Sequence, residues 1–482
     1  MHFNRLPLNG KAWCLAPHTD TIHQAPRIAE SSHQEWLVPM APQTVNLRKI
    51  SLADRLTELS SPPPSQWLET GLNARPNLHG LLRYPAMMVP RMQGDIIDTI
   101  LASINGRCDV LDPFVGSGTM MTEAMIRGLD FTGVDINPLA VLVCEAKKEI
   151  DHGADIDKAA LLVLDALAKD RQDSIDVDYQ NREKWFSNES AEYFSKIRRA
   201  ILKVDEQGAR KVLWAVFAEI VRLCSNSRPS TYKLHIRKPG DRVGVEKISA
   251  LFRSHLDETV ERVKQYRSLI SDRGENQPLA TIICDDIREA DLNSRSDRHQ
   301  ILVTSPPYGD NQTTIPYGQF SYLALRWIPR EDLPRGFHEM LLANTHSLDS
   351  ASLGGSVVNS DAKQDAMRAI SSTFDQFVSV AIGSDKEKGI RKVSSFVYDF
   401  YEALKHIREE CNGQAHWALT TGNRTAVGLT VPFDEICRDI ISSLGGRSLV
   451  SLKRCLPVKR MPSRNSMGVM ITTETTLVAE FS

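Results

Sequence analysis

The sequence predicts an α/β protein with a doubly wound, mostly parallel sheet and an inserted helical domain. Two short apolar runs that end in acidic residues, CDVLDPF at 108–114 and FTGVDI at 131–136, flank a helix-like segment. Strand-like runs return after residue 280, and the residues between the two groups repeat apolar side chains at helical spacing. Alternating strand and helix patterns are typical of a parallel sheet covered by helices.

The later strand-like runs complete this sheet. They are TIICDD (281–286), ILVTS (301–305), HWALTTGN (416–423), SLVSLKRCLPV (448–458) and TLVAEF (476–481). Because the two groups of runs are far apart in the chain, we expect one sheet domain assembled from residues 76–150 and 276–482.

Three other segments are expected outside the sheet. Residues 1–75 have little regular periodicity and contain a Pro-Pro-Pro run, so we predict an irregular arm with a helix near Leu52 to Leu59. Residues 151–275 alternate apolar and charged side chains at helical spacing, which predicts the inserted helical domain. Residues 325–395 are polar, contain SLGGS and predict a smaller insertion.

Composition narrows the class of protein. Lys and Arg total 58 against 60 Asp and Glu, so any surface for a polyanion must be local. The 8 cysteines include no C-x-x-C pair, which argues against a zinc ribbon or a disulfide framework, and we expect no metal site. The first residues lack a signal-peptide hydrophobic region and no run is long enough to span a membrane, so we expect a cytoplasmic protein.

The segment VLDPFVGSGT, Val110 to Thr119, has the pattern of a ligand-binding loop. Asp112 ends an apolar strand, and Gly116 and Gly118 follow just before a helix. Ligands of open α/β sheets bind at the carboxyl ends of the strands, and glycines there let the backbone approach a ligand closely. The loop does not match the G-x-G-x-x-G fingerprint. It is also not a Walker loop, since no Lys follows.

Asp135, in GVDINP, ends the next predicted strand about twenty residues later. A carboxylate in this position can accept hydrogen bonds from both ribose hydroxyls of an adenosine-type cofactor. The alternative is a glycine-rich turn in which Asp135 only caps a helix. The two motifs together, at this spacing, favour a nucleoside cofactor.

The segment ILVTSPPYGDN, Ile301 to Asn311, is a strand that ends in a stiff polar loop. Pro306 and Pro307 lack N–H groups, which leaves backbone carbonyls free to face a ligand. Ser305 adds a hydroxyl acceptor, and Tyr308 adds a flat face on which a base can stack. This set of groups suits an exocyclic amino group on a planar ring, although a Pro-Pro-Tyr turn would be ordinary in isolation.

DPFVGSGT, VDINP and TSPPY together resemble the motifs of DNA amino-methyltransferases, which use S-adenosylmethionine to methylate N4 of cytosine or N6 of adenine. HGLLRYPAMMVP, at 79–90, is similar to the family segment that lines the methionine end of the cofactor, and CDDIRE resembles the strand end that contacts the adenine. The resemblance implies a Rossmann-like methyltransferase fold. The cofactor residues expected from the loops and the resemblance are Tyr84, Pro85, Ala86, Asp112, Phe114, Gly116, Gly118, Thr119, Asp135, Ile136, Asn137 and Asp286.

The resemblance also implies a mechanism. The target amino nitrogen would attack the methyl group directly, while Ser305 and the Pro306 carbonyl accept its hydrogens and Tyr308 stacks on a base flipped out of the duplex. The catalytic loop is Ser305, Pro306, Pro307 and Tyr308, and its leading serine resembles the cytosine-N4 branch. The alternatives are an adenine-N6 enzyme, an RNA-base methyltransferase and a catalytically silent DNA-binding protein. A restriction-modification or defence system with a separate endonuclease is the expected setting.

Two stretches without acidic residues are candidates for phosphate contacts with double-stranded DNA. Residues 221–240 hold five basic and no acidic residues, and residues 441–470 hold six basic and none. An ordinary solvated surface is the alternative for any such run. The inserted helical domain is therefore the expected DNA-recognition domain. The residues expected to bind DNA are Arg222, Arg228, Lys233, Arg237, Lys238, Lys453, Arg454, Lys459 and Arg460.

Overall fold

A seven-stranded sheet organises this protein. The computed structural model describes residues 50–61, 63, 65–68, 75–274, 277–292, 297–382, 387–411, 413–456 and 471–482. The sheet strands are β1 (Cys108–Asp112), β2 (Asp130–Val134), β3 (Ala280–Ile283), β4 (His299–Thr304), β5 (Ala415–Gly422), β8 (Arg447–Cys455) and β9 (Thr473–Phe481). Two short strands, β6 (Thr425–Ala426) and β7 (Leu429–Thr430), pair in a separate ribbon.

The strands lie in the order β3-β2-β1-β4-β5-β9-β8. Neighbours from β3 to β5 are parallel, whereas β9 runs antiparallel to both β5 and β8. The order reverses between β1 and β4, which makes this the topological switch point of the sheet. The predicted α/β fold with a mostly parallel sheet is confirmed.

Fifteen helices occur in the described residues. Those before β3 are α1 (Leu52–Ser60), α2 (Pro90–Leu101), α3 (Thr119–Ile126), α4 (Pro138–Asp151), α5 (Ile156–Lys169), α6 (Arg182–Trp185), α7 (Asn188–Leu202), α8 (Gln207–Cys224) and α9 (Val245–Leu269). Those after β4 are α10 (Tyr317–Leu325), α11 (Ser347–Ala351), α12 (Ser360–Ile370), α13 (Ser372–Ala381), α14 (Glu387–Glu410) and α15 (Phe433–Ser443). Short 3₁₀ turns lie at Ser65–Leu68, Asn77–Gly80, Pro239–Asp241, Ser271–Arg273, Arg330–Asp332 and Glu339–Leu342.

Two hydrophobic cores cover the two faces of the sheet. Successive strand residues point to opposite faces, so Val110 of β1 packs into one core and Leu111 into the other. The first core contains residues of α2 to α5 and α7 to α10, and the second contains residues of α12 to α15. The helices between β2 and β3 therefore share a core with the sheet. The division of the chain into domains at the predicted boundaries stays a prediction.

The N-terminal arm falls largely outside the described residues, which begin at Ile50. The helix expected near Leu52 to Leu59 is confirmed as α1, where Ser51 and Asp54 form a reciprocal capping box. In the part of the chain that the structure describes, no helix combines the length and hydropathy that a bilayer span requires.

Candidate functional site

A pocket of about 900 Å³ lies at the switch point of the sheet and opens to solvent. The loops that follow β1 and β4 leave the same edge, because the two strands are parallel neighbours. The loop after β1 therefore lies beside the loop after β4, although almost 190 residues separate them in the chain. This pocket brings the two sequence motifs together.

Most of the expected site residues line this pocket. From the cofactor set, the lining includes Tyr84, Pro85, Ala86, Phe114, Gly116, Thr119, Asp135, Ile136, Asn137 and Asp286. From the catalytic loop, it includes Ser305 and Pro307. The expected residues that are absent from the lining are Asp112, Gly118, Pro306 and Tyr308.

The two glycines of the first loop have different roles. Both have a left-handed backbone, with φ of 50° at Gly116 and 73° at Gly118. Gly116 faces the pocket, and its N–H donates to the Asp135 carboxylate at 2.9 Å. Gly118 caps α3, and a Cβ there would lie 2.9 Å from the Cys144 sulfur of α4. The expected ligand contact of Gly118 is thus replaced by close packing between two helices.

Asp135 is oriented by the backbone on both sides. One carboxylate oxygen accepts from the Gly116 N–H and the other accepts from the Asn137 N–H at 2.8 Å. Burial raises the pKa of Asp135 to about 6. Each oxygen retains a further lone pair, so the carboxylate can still accept hydrogen bonds from a ligand in the pocket.

Asn137 holds one wall of the pocket in place. Its side chain accepts from the Leu139 N–H to cap α4, and it donates to the Tyr84 hydroxyl at 2.8 Å and to Ser321 at 2.7 Å. The Tyr84 ring stacks on Tyr317 of α10 with a centroid separation of 5.6 Å. Asn137 therefore joins the start of α4 to the aromatic wall.

Asp112 lies beneath the pocket, at the buried end of β1. Its carboxylate accepts from the Thr304 hydroxyl at 2.6 Å and from the Phe114 N–H at 3.1 Å. Among the described residues, the second carboxylate oxygen has no hydrogen-bond partner, and burial raises the pKa of Asp112 to about 7. The side chain points into the sheet, links β1 to β4 and lies outside the pocket lining, so its expected contact with a cofactor stays a prediction.

The loop after β4 is fixed by buried polar groups. Asp310 accepts from the Thr313 N–H at 3.0 Å and forms an ion pair with Arg424 at 3.4 Å. Tyr308 lies outside the pocket lining, and its hydroxyl donates to Glu474 at 3.1 Å. Ser305 is oriented toward this tyrosine, with 3.2 Å between the two hydroxyl oxygens.

Two acidic residues follow β3 at the pocket edge. The Asp286 carboxylate is already engaged by Arg288, whose N–H groups donate to it at 2.5 to 3.1 Å. Asp285 is exposed and also lines the pocket. Asp286, which is ion-paired, and its exposed neighbour Asp285 both lie where the adenine end of a cofactor is expected.

Several lining residues were missed by sequence reasoning. Met87 and Met88 stand inside the HGLLRYPAMMVP motif and could have been found there. Asn311 ends the segment ILVTSPPYGDN and could also have been found there, whereas Tyr317, Leu348, Ser352 and Leu353 carry no motif. The last three come from the polar insertion after residue 325, whose composition gives no sign that it closes a pocket wall.

Three of the arginines expected to bind DNA have internal partners. Arg222 forms an ion pair with Glu219, which lies two residues before the acid-free stretch. The Arg237 guanidinium donates to the backbone carbonyls of Leu223 and Ser227 and so fixes the loop after α8. Arg454 is buried and paired with Glu474. Acids outside each stretch and backbone carbonyls engage these guanidinium groups, and a DNA contact by the three arginines stays a prediction.

The other expected DNA contacts remain on the surface or lie outside the described residues. Arg228, Lys238 and Lys453 are exposed and Lys233 is partly exposed. Lys459 and Arg460 lie outside the described residues.

Comparison with known proteins gives the class of activity. No protein-family model matches the chain. The chain is 27% identical over 410 residues to the type II methyltransferase M.MvaI of Kocuria varians, a match that covers 82% of this chain and 87% of that protein. It is 24% identical over 208 residues to the type II methyltransferase M.MjaII of Methanocaldococcus jannaschii, covering 39% of this chain and 38% of that protein. Together with the mostly parallel sheet, this similarity supports a Rossmann-like methyltransferase fold and methyltransferase activity.

Proposed function

We propose that this protein transfers a methyl group from S-adenosylmethionine to N4 of cytosine in duplex DNA, as part of a restriction-modification system. The observation that carries the proposal is one pocket lined both by the glycine loop with Asp135 and by Ser305 and Pro307 of the second loop. A cofactor subsite and a subsite for an amino group thus share one cavity. The type II methyltransferases to which the chain is similar support the setting.

The pocket fits the chemistry of S-adenosylmethionine. Asp135 offers carboxylate oxygens for ribose hydroxyls, and Gly116 has no side chain to fill the pocket beside it. Ile136, Ile287 and Leu353 supply apolar surface for an adenine ring, and the acidic Asp285 lines the same pocket. When bound, the cofactor supplies the methyl group.

The second loop would hold the acceptor base. The Ser305 hydroxyl and the Pro306 carbonyl can accept the two amino hydrogens, which orients the nitrogen lone pair toward the methyl group. Ser305 is uncharged, so it accepts a hydrogen bond without placing a second carboxylate beside a cationic cofactor. This supports cytosine N4 as the target and leaves adenine N6 as the principal alternative.

The exposed basic residues supply the DNA-facing charge in this proposal. Arg228, Lys233 and Lys238 belong to one loop, which the Gln319 side chain ties to α10 by accepting from the Leu234 N–H at 3.0 Å. Helix α10 also contributes Tyr317 to the pocket. The basic loop is therefore connected to the pocket wall, as expected for a surface that holds phosphates while a base enters. The protein would act in the cytoplasm at the nucleoid, and a separate endonuclease would cut unmethylated sites.

Nucleoside mass spectrometry of DNA from a methylation-deficient host that expresses the full chain tests the proposal. We expect N4-methylcytosine, which should disappear when the host expresses Asp135→Ala. N6-methyladenine as the sole product would assign the enzyme to the adenine branch. A methylated base in RNA alone would overturn the DNA assignment, and a folded protein that binds DNA but neither methylates nor binds S-adenosylmethionine would be a silent binding protein.

A further inference from the structure

Residues of three neighbouring strands lie in a row beneath Tyr308. Gly422 of β5 is directly opposite Glu474 of β9, and Glu474 is directly opposite Arg454 of β8. Residues opposite one another in antiparallel strands point to the same face of the sheet. The three positions therefore form a continuous row under the catalytic loop, which we call the tyrosine seat.

Both ends of the Tyr308 side chain contact this seat. A Cβ on Gly422 would lie 2.9 Å from two carbons of the Tyr308 ring, so the ring packs where only glycine leaves room. The hydroxyl donates to Glu474 Oε1 at 3.1 Å and also lies 3.2 Å from the Ser305 hydroxyl oxygen. Burial raises the pKa of Tyr308 well above its usual value, which keeps the hydroxyl protonated. Rotation of the side chain about χ1 would break the bond to Glu474, because it would carry the hydroxyl away from the carboxylate.

Glu474 is itself held in place. Its other carboxylate oxygen forms an ion pair with Arg454, and Arg454 Nη1 donates to the Trp67 carbonyl at 3.2 Å. Both side chains of this pair are largely buried, with 9% of Arg454 and 16% of Glu474 exposed. A buried ion pair is a poor source of net stability, but it fixes geometry well.

We propose that Glu474, supported by Arg454, is a positioning residue that fixes the Tyr308 hydroxyl and thereby sets the position of Tyr308 and Ser305 for the acceptor base. The inference rests on the proposed function, since it assigns the loop to methyl transfer. Glu474 lies outside the lining of the pocket, so its effect should appear in turnover and not in cofactor binding.

A double-mutant cycle tests the inference. Tyr308→Phe removes only the hydroxyl, and Glu474→Ala removes its acceptor. In the full chain, we expect each change to lower kcat for DNA methylation by about ten-fold, because small misplacements of reacting groups are costly, while the Kd of S-adenosylmethionine is unchanged. Combining the two changes should lower kcat no further than either one alone.

The strand offers a matched control. Glu480 of β9 is opposite Arg447 of β8 and pairs with it on the exposed part of the same strands, away from the loop. Glu480→Ala should leave kcat unchanged. Hydrogen–deuterium exchange of the free protein gives a readout independent of activity: the peptide from Ile301 to Asn311 should exchange faster in Glu474→Ala and Tyr308→Phe than in the wild type or in Glu480→Ala.

Three results would overturn the inference. One is a double variant whose loss in kcat equals the product of the two single losses. Another is unchanged exchange of the loop peptide in both single variants. The third is an equal loss of kcat in Glu480→Ala. If Glu474→Ala does not fold, Glu474→Leu, which fills the volume and has no acceptor, takes its place in the cycle. A wild-type protein without methyltransferase activity would contradict the proposed function instead, and the exchange experiment would still test the seat.

Discussion

The Thr304 hydroxyl donates to the Asp112 carboxylate at 2.6 Å, which joins the last residue of β4 to the last residue of β1. The two loops that line the pocket start immediately after this bond. Because Asp112 is fully buried and its second oxygen has no partner in the described part of the chain, its charged form is costly in the folded protein. A group that positions both loops is therefore also a group that responds to pH.

Replacing Asp112 should change how stability depends on pH. The folded pKa of about 7 exceeds the unfolded value of about 3.9, so the folded state binds the extra proton between these values. The stabilisation that this extra proton gives is complete below about pH 4 and is lost as the pH rises through 7. Between pH 5 and 8 the wild type should lose about 2–3 kcal/mol relative to Asp112→Asn, measured by urea unfolding. Parallel pH profiles would contradict this prediction.

Removal of the Asp135 carboxylate should weaken cofactor binding. Asp135→Ala takes away the acceptors proposed for the ribose hydroxyls, and hydrogen bonds to a charged group are worth about 1.5–3 kcal/mol. We expect the Kd of S-adenosylmethionine to rise by at least about ten-fold in a calorimetric titration. The control is Asp165→Ala, which removes an exposed carboxylate on α5. Equal affinities of the wild type and a folded Asp135→Ala variant would place the cofactor elsewhere.

Substitutions at the two loop glycines should differ in their effect on the Tm. Gly118→Ala places a Cβ against the Cys144 sulfur, so we expect a lower Tm than in Gly116→Ala, where the nearest atom is 3.5 Å away. Both variants carry the strain of a left-handed backbone, about 1 kcal/mol. Differential scanning fluorimetry measures the difference. Cys144→Ala should restore part of the Tm in the Gly118→Ala background and none in the Gly116→Ala background.

The exposed residues of the basic loop should carry the salt dependence of DNA binding. Changing Arg228, Lys233 and Lys238 together to Gln should weaken binding and reduce the slope of log K against log salt by about one for each lost phosphate contact. Fluorescence anisotropy at several salt concentrations measures the slope. The matched control changes Lys158, Lys169 and Lys264 on α5 and α9 to Gln. A control slope that falls equally would show that no local surface is involved.

The central strands were predictable from sequence because, like β5, they are buried on both faces and so read as continuous apolar runs. The pocket loops were predictable because glycine and proline fix backbone geometry locally. The partners of Arg222 and Arg454 were not, since Glu219 and Glu474 lie outside the stretches whose charges were counted. Cross-strand register brings Glu474 beside Arg454, and no local pattern contains that register. Leu348 and Leu353 reach the pocket through tertiary packing of a segment without a motif.

Tyr308 provides the sharpest test of the catalytic loop. Tyr308→Ala removes the hydroxyl that donates to Glu474 and also the ring face proposed to stack on the flipped base. Tyr308→Phe removes the hydroxyl alone. Stacking of a base on an aromatic ring is worth about 1–3 kcal/mol, so Tyr308→Ala should lower kcat by a further about 5- to 150-fold relative to Tyr308→Phe. The Kd of S-adenosylmethionine should remain close to the wild-type value in both variants, because Tyr308 does not line the pocket. Single-turnover transfer of a labelled methyl group, together with calorimetry, measures both quantities. Equal kcat values for the Ala and Phe variants would mean that the ring acts only through its hydroxyl, and the base would then have to be held by another side chain of the pocket.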